Sequence, residues 1–493
     1  MIHSALILLT GALLTLSFAP FYIWPFAVVS PLIFFILLSR HKNLSGFLVT
    51  GLLYGIGFFA TSVSWIYVSI HLFSQSPLLS IAITAVFVLV MSLFFMLFAL
   101  IAYYTRTLKL NRALTYPVAW TLLELIRGHL FTGFPWVLIG YGFTDTWFSG
   151  YAVIGSVYLV SFISVFITTL LLALMAPKQS LKTRLFCLFA IFVLTLIGFM
   201  LKQHNWTQKN SKALSVSLIQ GDYVLSQKWN PEMLQTIIDY YYTATQDNPA
   251  DLIFWSENAI PTYRPYISPF LRQINTLGNS EDSAILVGTI DVNSKNQYFN
   301  AALVYGKGSG KYYKHHLVPF AEYYPFSRLI SPFMRYFNIP MSDFTAGEKI
   351  QPLLEMNGIS VALFICYEIA YPKEVRDQLQ NAGLIAVISD DAWFGNSLAP
   401  WQHLEISQMR AIENGRFVLQ TTNNGITAII DPKGQITARL KPNTQDILHG
   451  KVYSYHGKTP WLYLGMIPLY CLMILFLVIA FAANKIAKAR LKP

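Results

Sequence analysis

The sequence predicts a two-part molecule: a multispan α-helical membrane domain of about eight spans, and an extracytoplasmic α/β sandwich inserted before the last of them. Three observations predict it. Hydrophobic residues make up 54% of the 493 and charged residues 12%, too apolar a balance for a soluble globular chain. Apolar runs long enough to cross a bilayer recur through residues 1–201 and return at 461–483. Between them the pattern changes to short β-rich runs alternating with helical ones, the signature of helices covering sheets.

Spans are expected near 4–19, 21–38, 46–68, 79–104, 114–126, 151–175, 185–201 and 461–483. The first and fifth have the weakest signal, being short or carrying Glu124 at one end. The N-terminal run is read as a retained span and not a signal peptide, because MetIleHisSer has no Lys or Arg and further spans follow at once. Orientation follows from the cations, since Lys and Arg in short loops stay cytoplasmic. Arg40 and Lys42 share one loop, Arg106, Lys109 and Arg112 another, Lys178, Lys182 and Arg184 a third, and Lys485, Lys488, Arg490 and Lys492 form the tail. These fall on one side only if all eight spans are counted, which places 202–460 outside the cytoplasm. The segments 1–201 and 484–493 carry the whole net charge of +11, and the stretch between is electrically neutral, so nothing marks it as a nucleic-acid binder. The expected division is 1–201 as a membrane domain of about seven spans, 202–460 as the extracytoplasmic α/β domain, and 461–493 as a closing span with a basic cytoplasmic tail.

Within 202–460, strands are expected at 214–220, 251–257, 284–290, 298–306, 359–367, 384–390, 417–423 and 425–432, most rich in Val, Ile and aromatics and bounded by Gly, Asn, Asp or Pro. Helices are expected at 231–245, 267–277, 372–382 and 402–415, with Pro231 and Pro372 near first helical positions. Nearly continuous apolar strands such as VALFI at 361–365 suggest burial on both faces. In open α/β sheets reactive groups gather beyond the carboxyl ends of strands, where Glu257 and Cys366 stand. Lys314 follows shortly after the strand ending near Gly306.

Cys366 is the only cysteine in this polar stretch, because Cys187 and Cys471 lie in apolar segments. In an oxidising compartment an unpaired thiol is a liability, which favours a nucleophile over the other reading, a small core residue. A thiol reacts as thiolate and needs a base or cation beside it. Glu257 in TrpSerGluAsn suits the base and Lys314 in TyrTyrLysHisHis the cation that steadies thiolate and oxyanion. Singly, Glu257 also reads as a solvated strand end and Lys314 as a loop charge; the ordered set is what is specific.

The flanking sequences WSENAI at 255–260, YYKHHLVPFAEYYPF at 312–326, CYE at 366–368, DDAWFG at 390–395 and TTNNG at 421–425 resemble the nitrilase superfamily. With its multispan N-terminus and closing span, the chain is similar over its length to that superfamily's membrane-embedded branch, the apolipoprotein N-acyltransferases. Ser256 and Asp390 depart from the common Pro and Asn and bear on loop geometry, outside the triad. The resemblance implies an α-β-β-α sandwich and a Glu257–Lys314–Cys366 triad. Cys366 would take an acyl chain from a phospholipid, usually the sn-1 chain of phosphatidylethanolamine. The thioester would then pass it to the α-amino group of a lipoprotein's N-terminal diacylglyceryl-cysteine, in ping-pong order. Glu322 and Glu368 would orient Lys314 and the thiol, or serve as structurally paired carboxylates, and Tyr367 would offer an oxyanion N–H. Trp229 and Trp393 would contact acyl chains or simply pack. The resemblance further implies no cofactor, a monomer, and a multi-pass protein of the bacterial inner membrane with its catalytic domain in the periplasm.

Both substrates being lipids, the centre must reach a bilayer while staying dry. The segment 322–340 is a candidate lid, with Phe326, Leu329, Ile330, Phe333, Met334 and Phe337 at helical spacing and Arg328 and Arg335 able to meet phosphate; packing into the core is the alternative. Of these, Phe326 and Phe333 are the expected lipid contacts. The loop 127–150 with GlyPheProTrp at 133–136 suggests a second surface element, and Glu124 and Arg127 are spaced to pair. His315 and His316 lack the further ligands of a metal site, so no metal is expected. Two rivals remain: a membrane-anchored amidase with the same triad, against which the many spans argue, and a lipid transporter, which would carry ionisable residues deep in several spans.

Overall fold

The computed structural model describes residues 2–177, 179–323 and 344–489. The candidate lid from 324 onward, with Phe326, Arg328, Phe333 and Arg335, lies outside the described residues, as do Lys178, Arg490 and Lys492.

Helices occupy all eight expected span positions: α1 (Ile2–Thr15), α2 (Phe26–Arg40), α3 (Leu44–Ser62) followed by α4 (Trp65–Ser74), α5 (Pro77–Thr107), α6 (Arg112–Arg127), α7 (Ala152–Leu174), α8 (Leu181–Gln203) and the closing helix (Ile467–Ala489). Five helical segments among the described residues, Leu44–Ser62, Pro77–Thr107, Trp147–Leu174, Leu181–Gln203 and Ile467–Ala489, are long and apolar enough to cross a membrane, and α1 and α2 are shorter apolar helices. The expected third span, 46–68, is broken at Val63–Ser64 into α3 and α4. Side chains set several helix starts. Asn43, Ser76, Asn111 and Ser180 accept hydrogen bonds from the N–H groups of Gly46, Leu79, Ala113 and Thr183, at the first turns of α3, α5, α6 and α8. Helices α1 and α3 cross closely because Gly11 and Gly57 have no side chain: a Cβ on Gly57 would lie 2.0 Å from the Leu8 carbonyl oxygen.

Between Gln203 and the closing helix the chain builds two seven-stranded sheets. Their strands are β1 (Gln208–Gln220), β2 (Leu252–Trp255), β3 (Ile260–Tyr263), β4 (Ala284–Val292), β5 (Tyr298–Gly306), β6 (Gly308–Ser309), β7 (Lys311–Tyr313), β8 (Leu354–Met356), β9 (Ile359–Ile365), β10 (Leu384–Ser389), β11 (Val418–Thr422), β12 (Ala428–Ile430), β13 (Ile436–Arg439) and β14 (Asp446–His456). The first sheet runs β14-β1-β2-β4-β5-β7 with β3 on β4, and the second β13-β12-β11-β10-β9-β8-β6. Both centres are parallel, β1-β2-β4 in one and β9-β10-β11 in the other. The sheets face each other across a core of residues such as Leu218, Phe254, Leu286, Leu363, Ala386 and Leu419. Helices α10 (Leu234–Asp247) and α11 (Ser268–Ser280), which follow the one-turn α9 (Leu225–Lys228), bury Ile237, Tyr241 and Ile274 on the outer face of the first sheet. On the second sheet lie α12 (Pro372–Leu379) and α13 (Ala399–Asn414). This is the α-β-β-α sandwich.

The expected strands and helices of this part are present within a few residues. The sequence reading passed over β3, β6, β7, β8, β13 and the eleven-residue β14. β14 pairs antiparallel with β1 along a register from Gln208–His456 to Gln220–Asp446, a partnership of distant segments that local pattern does not encode.

Helix α13 ties the two parts together. It is buried along nearly its whole length, with sheet β9–β12 on one side and α7 on the other, and its apolar residues belong to one core cluster with the membrane helices. Glu413 of α13 accepts from Ser156 Oγ at 2.7 Å and Val157 N at 2.8 Å, where α7 is broken at Gly155 and Ser156. The carboxylate therefore caps the helical segment that restarts at Val157. Arg410 pairs with it at 3.1 Å, both side chains fully buried.

Glu124 and Arg127 bind loop backbone, not each other as their spacing suggested. Glu124 accepts from Ile139 N at 2.9 Å, and Arg127 donates to the carbonyls of Phe134, Trp136 and Val137 at 3.2, 2.7 and 3.4 Å. An irregular buried loop leaves backbone groups in need of partners, and these two side chains supply them. The expected surface loop 127–150 is mixed: Trp136 through Phe143 are buried, with Trp136 Nε1 donating to Gln402 of α13 at 2.7 Å, while Leu130, Phe131 and Trp147 are exposed.

Candidate active site

Each expected triad residue follows a strand. Glu257 comes two residues after β2, Lys314 directly after β7, and Cys366 directly after β9. The two sheets, packed face to face, bring them together, and all three are buried. Lys314 Nζ lies 3.3 Å from Glu257 Oε1 and 2.9 Å from Glu322 Oε1. Asn300, on β5, donates through Nδ2 to the same two oxygens at 2.6 and 3.0 Å. The other Glu257 oxygen accepts from Asp390 N at 2.9 Å. Glu257 is thereby fixed on both oxygens, with one facing the lysine.

Cys366 opens the turn Cys366–Ala370 with φ +56°, a left-handed conformation costly for a residue with a Cβ. Glu368 holds this turn. Its Oε2 accepts from Ile365 N at 2.7 Å, its Oε1 from His315 N and His316 N at 2.7 and 3.0 Å, and Tyr312 OH donates to both oxygens. Glu368 thus joins the backbone beside the thiol to the backbone beside the lysine. Burial pushes its carboxyl above the usual range, while the N–H donors and the Lys314 charge pull it back.

Electrostatics separate the thiol and the amine. Burial raises the Cys366 thiol well above its ordinary value, the Glu257 charge adds to this, Lys314 and a hydrogen bond with Ser389 oppose it, and Asp391 raises it further. Burial alone would lower Lys314, but Glu257 and Glu322 overcome that and hold it well above the usual lysine range. The resting pair is a neutral thiol beside a fixed ammonium.

Tyr367 turns its ring toward the membrane domain, stacked with Trp136 at 5.9 Å, and its hydroxyl donates to the Gly133 carbonyl at 3.1 Å; Tyr371 OH donates to the same oxygen at 3.0 Å. Phe394, in the turn Asp391–Phe394 with half-buried Trp393, meets Trp65 of α4 edge-on at 5.0 Å. Trp229 ends α9 with 43% of its surface exposed. His315 bonds the Gly347 carbonyl at 2.9 Å, and His316 bonds Glu374 at 3.0 Å and stacks on Tyr371 at 3.8 Å. No cluster fit to hold a metal occurs among the described residues.

Three contributors escaped the sequence reading. Lys228, 1% exposed, donates to the Glu257 carbonyl at 2.8 Å and pairs with Asp390 at 2.5 Å, so the Asp at the position where the resemblance implies Asn has a buried cation of its own. Asn300 bridges the two carboxylates; its only signal is a polar residue within the apolar run of β5. His403 of α13 reaches the Cys366 carbonyl at 3.2 Å and Asp391 at 3.3 Å, and a lone helical histidine gives no sign of this.

Residues 10–170 match the apolipoprotein N-acyltransferase N-terminal domain, and residues 215–456 match the carbon-nitrogen hydrolase family. An apolipoprotein N-acyltransferase of Coxiella burnetii is 38% identical over 485 residues, covering 97% of this chain and 100% of its own. The chain belongs to the apolipoprotein N-acyltransferase family. A relative of that name in Pseudomonas syringae is 36% identical over 499 residues, with 98% of this chain and 97% of the relative covered. Membership makes this a multi-pass bacterial membrane enzyme that transfers acyl groups, acting on lipoprotein and membrane lipid. It also sets aside the transporter and the anchored amidase.

Proposed function

We propose that Cys366 takes a fatty acyl chain from a phospholipid, the sn-1 chain of phosphatidylethanolamine, and passes it to the α-amino group of an N-terminal diacylglyceryl-cysteine. The observation that carries this reading is the buried cluster in which Lys314 pairs with Glu257 and both charges act on the Cys366 thiol. Glu257 accepts the thiol proton as sulfur attacks the ester carbonyl. The tetrahedral oxyanion is met by Lys314 and the Tyr367 N–H, the lysophospholipid alkoxide leaves with the proton from Glu257, and a thioester remains. In the second half Glu257 takes a proton from the attacking amine, whose pKa near 8 leaves part of it neutral, and the thiol is restored. Asn300 and Asp390 N hold the base, while Glu322 and Glu368 set the lysine and the turn. Trp229 and Trp393 meet the acyl chain. The reading places 1–201 and 461–493 in the inner membrane, 202–460 on the periplasmic side, and the active unit as a monomer.

The test is intact mass spectrometry of the purified enzyme after incubation with phosphatidylethanolamine. The expected result is one acyl adduct mapping to Cys366, removed by hydroxylamine or by an acceptor lipopeptide. A Cys366→Ala protein that still acquired the adduct would reject the assigned nucleophile.

A further inference from the structure

A cavity of about 620 Å³ lies among α2, α7, α8 and the loop between α6 and α7. Its lining includes none of Glu257, Lys314 and Cys366, and its volume falls in the range of roughly 300–1,000 Å³ of small-molecule sites. The polar part of the wall holds Glu405, Asp145 and Tyr22; the apolar part holds Val28, Ile167 and Ile191. The polar groups sit where α1 joins α2 and just before α7, toward the sandwich. Ile167 lies on the order of 20 Å farther along α7 at 1.5 Å per residue. The cavity therefore runs from a charged mouth at the sandwich side into the apolar thickness of the membrane domain.

Its lining holds two carboxyl groups, of which Asp145 has the Lys202 charge nearby. Asp145 accepts from Gln408 at 3.2 Å and feels Lys202, whose Nζ donates to the carbonyls of Thr144 and Thr146 at 3.3 and 2.9 Å. Glu405, 2% exposed, accepts from Ala19 N at 3.3 Å and forms no ion pair among the described residues. Burial holds the Glu405 carboxyl well above the ordinary range; the Ala19 N–H opposes this, and the Asp145 charge adds to it in smaller measure. By itself the carboxyl is held as a neutral acid, and an ammonium brought beside it supplies the counter-charge that ionisation needs, the acid's proton passing to solvent. Two residues separate Glu405 from His403, about 200° around a helix, so the cavity and the Cys366 turn lie on opposite faces of α13.

We propose that this cavity binds a phospholipid whose headgroup carries a primary ammonium, with the ammonium against Glu405 and Asp145 and one acyl chain along α2, α7 and α8. A primary ammonium offers three N–H donors to the carboxylates, which a quaternary ammonium does not. Head and chain match the two parts of the wall, and the bilayer supplies the ligand.

Photo-crosslinking on the full-length protein in nanodiscs tests this. The probes are phospholipids with a diazirine on one acyl chain and an ethanolamine, choline or glycerol headgroup. The ethanolamine probe is expected to label peptides around Val28, Ile167 and Ile191 about tenfold more than the other two, and Glu405→Gln to remove about that preference, the scale of one charge-assisted hydrogen bond. Ile167→Trp, which fills the apolar end and touches no charge, is expected to lower the same labelling and serves if Glu405→Gln does not fold. Equal labelling by all three headgroups, an unchanged preference in folded Glu405→Gln, or undiminished labelling in Ile167→Trp overturns the proposal. The readout requires no acyl transfer, so it stands or falls apart from the roles given to Glu257, Lys314 and Cys366.

Discussion

At the Cys366 sulfur the proposed nucleophile is held in its unreactive form. Burial and the Glu257 charge raise its pKa and Lys314 opposes them, so the thiolate is scarce at rest. The sign can be tested with a small chloroacetamide. Because a raised pKa means less thiolate at any given pH, alkylation of Cys366 should be slower than that of a free thiol at pH 8 and climb steeply above pH 9. Glu257→Gln removes a charge that raises the pKa, so it should speed this resting alkylation while stopping acyl transfer. Lys314→Met removes a charge that lowers it and should slow both. Rates of alkylation by mass spectrometry, set beside acyl-transfer rates, check the pair; equal slowing in both variants would contradict the assigned electrostatics.

At the scale of elements, α13 decides how the sandwich meets the membrane. Gln402 accepts from the indoles of Trp65 and Trp136 at 3.2 and 2.7 Å, His403 touches the Cys366 carbonyl, and Glu413 caps the restart of α7. Removing the Glu413 carboxylate leaves Arg410 buried without its partner and two α7 donors unsatisfied. Glu413→Ala is therefore expected to cost about 3–5 kcal/mol, the penalty of breaking a buried ion pair. The check is a lowered Tm of the detergent-solubilised protein. Glu413→Ala combined with Arg410→Met, which withdraws both charges, should recover a large part of the loss.

For the whole molecule, the continuous core through α7, α13 and the second sheet means that the sandwich carries an apolar face made to be covered. A fragment of residues 205–459 is expected to aggregate when expressed without the membrane helices, where a self-sufficient domain would give a monomeric gel-filtration peak. The cation map makes a separate prediction. Reporters fused in the exposed loop at 293–297 should behave as extracytoplasmic and those at 109–111 as cytoplasmic, measured by alkaline phosphatase activity.

Much of this was written locally. Apolar runs, Lys and Arg in short loops, and the strand ends carrying Glu257 and Cys366 are properties of neighbouring residues, and they settled the class, the span positions and the triad candidates by themselves. The contributions of Lys228, Asn300 and His403 were decided only by tertiary structure, as were the register of β14 on β1 and the docking of α13. Each joins groups between 12 and 337 residues apart, and no local periodicity names the partner. The buried carboxyl group of Glu405 belongs to the same class: its chemistry comes from the cavity it lines together with four other stretches of chain.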